Sequence, residues 1–319
     1  MKPNRRPTRF LPIAAALLAA AVAVILAVWL LRSPDDRPAS AETSVPASSA
    51  PSVSSEVASA VSSDLSSAVS SAPAPTGTIG EAAAAAAGLD RRTHGYGFGY
   101  PDGDPQNRPS EALYNQRTYG SAGMLCLTED TDTIYLTMDE GYEAGYTVRI
   151  LDILKEKNCT ATFFVTGAYV RERPDLVRRM IAEGHTVGNH SVNHPDLTTL
   201  DPADAAREIL GLHETVRDTF GYEMHLFRPP MGRFSPATLA VTKALGYRTV
   251  EWSFAYEDYD EDKQPAPDKA KAQILGATHG GGIFLLHACS STNTEILGEL
   301  IDAWRAKGYA VKALPNTRP

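Results

Sequence analysis

From Thr131 onward the chain alternates between short apolar runs and longer stretches whose apolar residues recur at helical spacing. The runs fall at 132–137, 160–165, 185–189, 224–227, 247–252, 282–287 and 308–312, and the amphipathic stretches at 143–157, 173–184, 202–220, 235–246, 267–277 and 293–307. Strands and helices in strict alternation predict parallel β-structure joined by crossover helices. Asp201 before Pro202 and Ser235 before Pro236 mark two helix starts, each offering an oxygen to cap exposed backbone donors. Seven strands suit either an open sheet or an incomplete barrel, and the pattern alone does not separate them.

Ahead of this region the pattern changes three times. Residues 1–32 open with Lys2, Arg5, Arg6 and Arg9 and continue without a charge from Phe10 to Leu31, long enough to span a bilayer as a helix. The span exceeds the core of a cleavable signal and ends in Ala27-Val-Trp-Leu-Leu31 with no small-x-small site. It therefore reads as a single-pass anchor in the cytoplasmic membrane, with secretion after cleavage as the rival. The basic cluster before it predicts that everything after Arg32 lies outside the cytoplasm. Residues 33–90 are mostly Ser, Ala, Pro and Val and predict a disordered linker. Such a tether spans about 40 Å as a flexible coil and about 170 Å when extended. Its alanine run at Glu81–Gly88 is too short for a helix that stands alone. Residues 91–130 are rich in Gly, Tyr, Pro and Asn, as in His94-Gly-Tyr-Gly-Phe-Gly-Tyr-Pro-Asp-Gly103, and predict an irregular arm packed on the domain at 131–319, with rings able to stack on sugars.

The formal net charge is −8, and because residues 1–32 hold several of the cations, the remainder is more acidic still, which argues against nucleic acid as a partner. The three cysteines, Cys126, Cys159 and Cys289, are an odd count without the paired spacing of a zinc or redox motif, so no disulfide framework is expected.

Candidate chemistry sits where apolar runs end. Ile134-Tyr-Leu-Thr-Met-Asp-Glu-Gly-Tyr142 finishes in two adjacent carboxylates, Asp139 and Glu140. His190 and His194 converge if the segment between them turns helically, and one carboxylate added to them makes a divalent-metal site with coordination positions left open. Either Asp139 or Glu140 supplies that ligand, and the other is placed as a general base. His287, closing the run at 282–287, is the candidate acid for a departing amine. Arg228, stiffened by Pro229 and Pro230, is a candidate to orient the base through a charge-assisted bond. In a β/α barrel all these strand ends converge on one face.

Thr137-Met-Asp-Glu-Gly141, His190-Ser-Val-Asn-His194, Phe227-Arg-Pro-Pro-Met-Gly232 and Leu285-Leu-His287 resemble, in order, the motifs of polysaccharide deacetylases, the NodB homology domain of carbohydrate esterase family four. The likeness covers about residues 131–315. It implies a distorted (β/α)7 barrel and a hydrolase that removes N-acetyl groups from peptidoglycan or chitin-like sugars with a divalent metal, zinc foremost and manganese or cobalt as alternatives. Gly141-Tyr-Glu143, the Arg-Pro-Pro form of the third motif, Trp252-Ser-Phe-Ala255, Leu285-Leu-His-Ala-Cys-Ser290 and the Gly-Tyr-Gly-Phe arm are most similar to the delta-lactam-biosynthetic group, which acts on N-acetylmuramic acid in the peptidoglycan of spore cortex.

Carried over by position, the resemblance makes Asp139 the base, His190 and His194 metal ligands, His287 the acid and Arg228 the residue that holds Asp139. The backbone N–H near Met231 would face the oxyanion. Tyr142, Trp252, Asp258 and Leu285 would line the substrate groove, Trp252 and Asp258 falling where the family has a motif that contacts the arginine. Two positions depart from the pattern. Met138 replaces a phenylalanine, a change of packing. Glu140 stands where the family has an aspartate ligand and the delta-lactam group an asparagine; with its extra methylene it binds the metal from a shifted backbone, binds in another mode or does not bind, and the ligand role is the expectation. The rivals are a deacetylase of chitin-like or surface polysaccharide, and a glycan-binding module without turnover.

Overall fold

The computed structural model describes residues 77–319. The expected membrane span at 10–31 and the linker up to residue 76 lie outside the described residues. The centre of the sheet is β2 (Thr133–Glu140), the longest strand described, with all eight residues buried. Burial on both faces is what a near-continuous apolar run signifies in a parallel sheet. Numbered in chain order, the other strands are β1 (Met124–Leu125), β3 (Thr162–Val165), β4 (Thr186–Asn189), β5 (Leu226–Phe227), β6 (Arg248–Val250), β7 (Gly282–His287) and β8 (Ala310–Lys312). Their order is β1-β6-β5-β4-β3-β2-β7, with β8 also pairing with β2, and every ladder is parallel.

All seven expected strands form, and β1 is an eighth. After β6 the chain runs on against β7: Ser253 N–H donates to Ile283 O at 2.9 Å and Leu285 N–H to Phe254 O at 2.9 Å. The sheet is thus curled back on itself, which selects the barrel over the open sheet. Side chains alternate along a strand, so each strand has an outer and an inner set. Ile134, Leu136, Met138, Phe163, Val165, Phe284 and Leu286 join the cluster beneath the helices, whereas Tyr135, Phe164, Leu226, Val250, Trp252, Ile283 and Leu285 pack together on the other face, inside the curl.

The six expected crossover helices form at Thr147–Glu156, Pro174–Ala182, Pro202–Phe220, Pro236–Ala244, Pro267–Gly276 and Ser291–Ala306. The first begins four residues later than the pattern suggested, because the Glu143 carboxylate accepts from the N–H groups of Gly145 at 2.6 Å and Thr147 at 3.3 Å and holds a loop there. Ser235 closes the expected cap with Thr238. Asp201 does not cap its helix; its carboxylate pairs instead with Arg91 at 3.2 Å.

Two readings of the amino-terminal half need correction. The linker does not run to residue 90: Ile79–Ala85 is a helix with a capping box between Thr78 and Glu81, and its buried Ala82 packs against helices 202–220 and 236–244. Tertiary packing supplies what a helix of that length lacks in isolation. Nor is the arm wholly irregular, since it contains a helix at Ser110–Tyr119 and β1.

Candidate active site

The inner face of the sheet ends, at the carboxyl ends of its strands, in the residues that carry chemistry. Asp139 shares the inner parity of Tyr135, His287 that of Leu285, and Arg228 that of Leu226. Arg228 is fully buried, and its Nη1 donates to Asp139 Oδ1 at 2.7 Å. Its remaining donors reach Val250 O at 3.3 Å and Glu251 O at 3.2 Å, while its guanidinium lies 4.2 Å from the Phe164 ring centre and 5.7 Å from that of Trp252. A buried charge is tolerable only when it is paired and its donors are satisfied, and here the fork, the carbonyls and the aromatic faces meet that demand. Burial alone would raise the pKa of Asp139, but Arg228, with smaller help from His190 and His287, holds it below the usual carboxylate value. Asp139 is therefore ionised.

His190 Nδ1 donates to the carbonyl of Arg228 at 2.8 Å, which fixes the tautomer and leaves Nε2 as the free lone pair, 3.5 Å from Asp139 Oδ2. Burial lowers its pKa to about 4 and also lowers that of His194, so both rings are neutral. The two rings lie 4.7 Å apart between centres. The helical turn expected between them is absent. Asn189 Oδ1 accepts from Ser191 N–H and Ser191 Oγ from His194 N–H, both at 2.9 Å, and Ser191 and His194 adopt left-handed φ of 67° and 56°. A tight polar turn does the work assigned to a helix.

On the neighbouring strand, where it is the register partner of Asp139, His287 donates from Nδ1 to Asp258 Oδ1 at 2.7 Å, and its Nε2 makes no hydrogen bond among the described residues. Asp258 is fully buried, and its Oδ2 accepts from His287 N–H at 2.8 Å and from Asn293 Nδ2 at 2.6 Å. Burial disfavours the imidazolium, but the Asp258 charge and hydrogen bond outweigh it, so the His287 pKa is raised. This corrects the groove role expected of Asp258: it is buried behind His287, is not part of the cavity lining, makes no hydrogen bond to Arg228 among the described residues, and orients the imidazole. Trp252 keeps the expected contact with Arg228.

The cavity has a volume of about 820 Å³ and is lined by Asp139, His190, His194 and His287, with Tyr142, Met231, Trp252 and Leu285 around them. Tyr96 and Phe98 of the arm form part of its wall, and Trp252 Nε1 donates to Gly97 O at 2.6 Å, tying arm to barrel. Gly232 has a φ of 60°, and a Cβ there would lie 2.6 Å from the Trp252 ring, so only glycine admits this packing. The preceding residue, Met231, is also left-handed and is 47% exposed.

Glu140 is the clear failure of expectation. One residue beyond Asp139 on an extended strand, it points to the outer face, where its carboxylate lies 3.4–3.5 Å from Thr147 Oγ1, away from the cavity lining. Burial, with Glu143 and Asp139 nearby, raises its pKa well above the ordinary carboxylate value. Among the described residues no group of three or more His, Cys, Asp or Glu is arranged to hold a metal ion. The two neutral imidazoles, His190 with its Nε2 open and His194 beside it, still fit a divalent cation with most of its coordination left to water and substrate. Sequence reasoning also missed Asn293 behind Asp258, and Tyr259, whose ring meets His287 edge-on at 5.6 Å. The three cysteines are free, and Cys289 lies in the cavity wall.

The sequence model of the polysaccharide deacetylase family matches residues 127–250. The peptidoglycan-N-acetylmuramic acid deacetylase PdaA of Bacillus subtilis is 44% identical over 185 residues, 58% of this chain and 70% of that protein. A chitooligosaccharide deacetylase of Bradyrhizobium sp. is 32% identical over 63% of this chain and 94% of its own length. The structure of B. subtilis PdaA, a family 4 carbohydrate esterase, superposes with a TM-score of 0.66 at 36% identity, covering 70% of this chain and 96% of the other.

Proposed function

The chain belongs to the polysaccharide deacetylase family, and from that premise we propose that it is a divalent-metal-dependent hydrolase that removes N-acetyl groups from peptidoglycan, acting on N-acetylmuramic acid. The observation that carries the reading is a pair of preorganised acid–base couples facing one cavity. Asp139 is kept ionised by Arg228, and His287 is kept protonatable by Asp258, on neighbouring strands, and His190 and His194 line the same cavity. The resemblance to a muramic acid deacetylase supports the choice of sugar.

His190 and His194 would hold a divalent cation, which when bound would supply Lewis acidity toward the acetamide carbonyl and a lowered pKa for the attacking water. Asp139 takes the proton of that water as its oxygen attacks the carbonyl carbon. The backbone N–H near Met231 donates to the developing oxyanion. His287 gives its Nε2 proton to the nitrogen as the C–N bond breaks, releasing acetate and leaving the amine on the sugar. The aromatic wall of Tyr96, Tyr142 and Trp252 supports the sugar ring. We further propose that residues 10–31 anchor the enzyme in the cytoplasmic membrane with this domain on the wall side, where glycan strands are its partner.

Release of acetate from purified peptidoglycan tests the reading, run with chelator and with zinc, manganese or cobalt restored. Metal-dependent release, greater from N-acetylmuramic acid than from N-acetylglucosamine units, is expected. Among the described residues no third ligand is arranged with the two histidines, which favours one second reading, a glycan-binding module without turnover. That reading is supported if strands bind but no metal restores acetate release.

A further inference from the structure

The segment Arg171–Arg179 carries four arginines, and three are engaged within the protein. Arg173 pairs with Asp175 at 3.0 Å and with Glu143 at 3.7 Å, Arg178 lies over the Phe220 ring at 5.3 Å, and Arg179 pairs with Asp152 at 2.6 Å and Glu183 at 3.0 Å. Arg171, on the short helix Gly167–Glu172, is exposed and lines the catalytic cavity, and among the described residues it makes no hydrogen bond, ion pair or ring contact.

Within the cavity the other charges are answered. Asp139 is neutralised from behind by Arg228 and His287 is backed by Asp258, so Arg171 presents the uncompensated charge. In a chain of net charge −8, a lone cation at the mouth of a cavity attracts anions that the remaining surface repels. A guanidinium presents a planar fork of donors that matches a carboxylate. The acetamide that reacts is neutral, so the anion must be borne elsewhere on the substrate.

We propose that Arg171 is an anion-recognition residue of this cavity and that it takes a carboxylate carried on the 3-O substituent of the acetylated sugar. This rests on the deacetylase reading and extends it to specificity. Two sources share that chemistry: the free lactyl carboxylate of a peptide-free muramic residue, and a carboxylate of the peptide on a substituted one, in which the lactyl carbonyl has become a neutral amide.

The test compares wild type, Arg171→Gln and Arg171→Lys on peptide-free glycan strands, peptide-bearing strands and neutral chitooligosaccharide, by acetate release. Arg171→Gln is expected to lower kcat/KM on the recognised substrate about tenfold through KM, with kcat retained, because the contact is made equally in ground and transition states. Arg171→Lys recovers part of the loss, and turnover of chitooligosaccharide is unchanged. A loss confined to peptide-free strands identifies the lactyl carboxylate, and one confined to peptide-bearing strands the peptide. Equal kinetics of wild type and Arg171→Gln on all three substrates overturn the proposal. If wild type releases no acetate from any substrate, the deacetylase reading fails, and binding of the same strands to the two proteins still decides the role of Arg171: unchanged affinity overturns it.

Discussion

Asp139 and Arg228 are buried as a couple, so removing either charge strands the other. Asp139→Asn takes away the base but neither histidine; metal content is expected to hold while turnover falls by about 10²–10⁴. The same substitution leaves a buried guanidinium without its counter-charge, a change that typically costs about 3–5 kcal/mol, so a lower melting temperature should accompany the loss. Turnover near the wild-type level would remove Asp139 from the role of base. The opposite couple makes a prediction in pH. His287 acts as an acid while protonated, and because its pKa is raised, its acid form persists to higher pH than an ordinary histidine and activity is lost only as pH rises through the raised value. Asp258→Asn removes the group that raises it and leaves burial, which lowers it. The alkaline limb of kcat against pH should therefore move to lower pH, with kcat reduced. An alkaline limb that stays in place after this substitution belongs to another group.

At the scale of elements the deciding fact is the period of two along a strand. It places Asp139 inside the curl and Glu140 outside, beside Thr147, and it predicts that Glu140→Gln leaves metal affinity within about twofold at a fixed pH, since the carboxyl lies on the outer face and does not line the cavity that holds the imidazoles. A tenfold weakening in metal titration would return Glu140 to the metal. Alternation of apolar runs and helical stretches made the strands and crossover helices legible, with β7 found at its expected limits of 282 and 287, because burial of both strand faces writes itself into composition. The convergence of Asp139, His190, Arg228 and His287 was legible for the same reason: each ends an apolar run. What stayed hidden depends on contacts between distant segments. The Asp258–His287 bond joins positions 29 apart, the turn from Asn189 to His194 is held by side-chain oxygens that no periodicity reports, and at Glu140 the family pattern and strand parity point to opposite faces, of which the strand takes the second.

For the molecule as a whole, the question is where the catalytic domain begins. The helix at Ile79–Ala85 lies against helices 202–220 and 236–244, on the outer layer of the barrel, and none of its residues lines the cavity. A form beginning at Gly77 is therefore expected to be soluble and to match the full-length enzyme in kcat and melting temperature, while the full-length protein sediments with membranes. A form beginning at Arg91 loses the burial of Ala82 and Ala86 and the bond from Ala237 N–H to Asp90 O. Uncovering the helices beneath removes on the order of 2–4 kcal/mol of apolar burial, so its melting temperature should fall by roughly 5–10 °C. Its kcat at low temperature should be retained, because the residues around the cavity keep their supports. Loss of kcat in the Arg91 form while it remains folded would mean that the helix governs the site and does not merely cover the barrel. Equal melting of the two forms would mean that the domain begins at 91, as composition alone suggests.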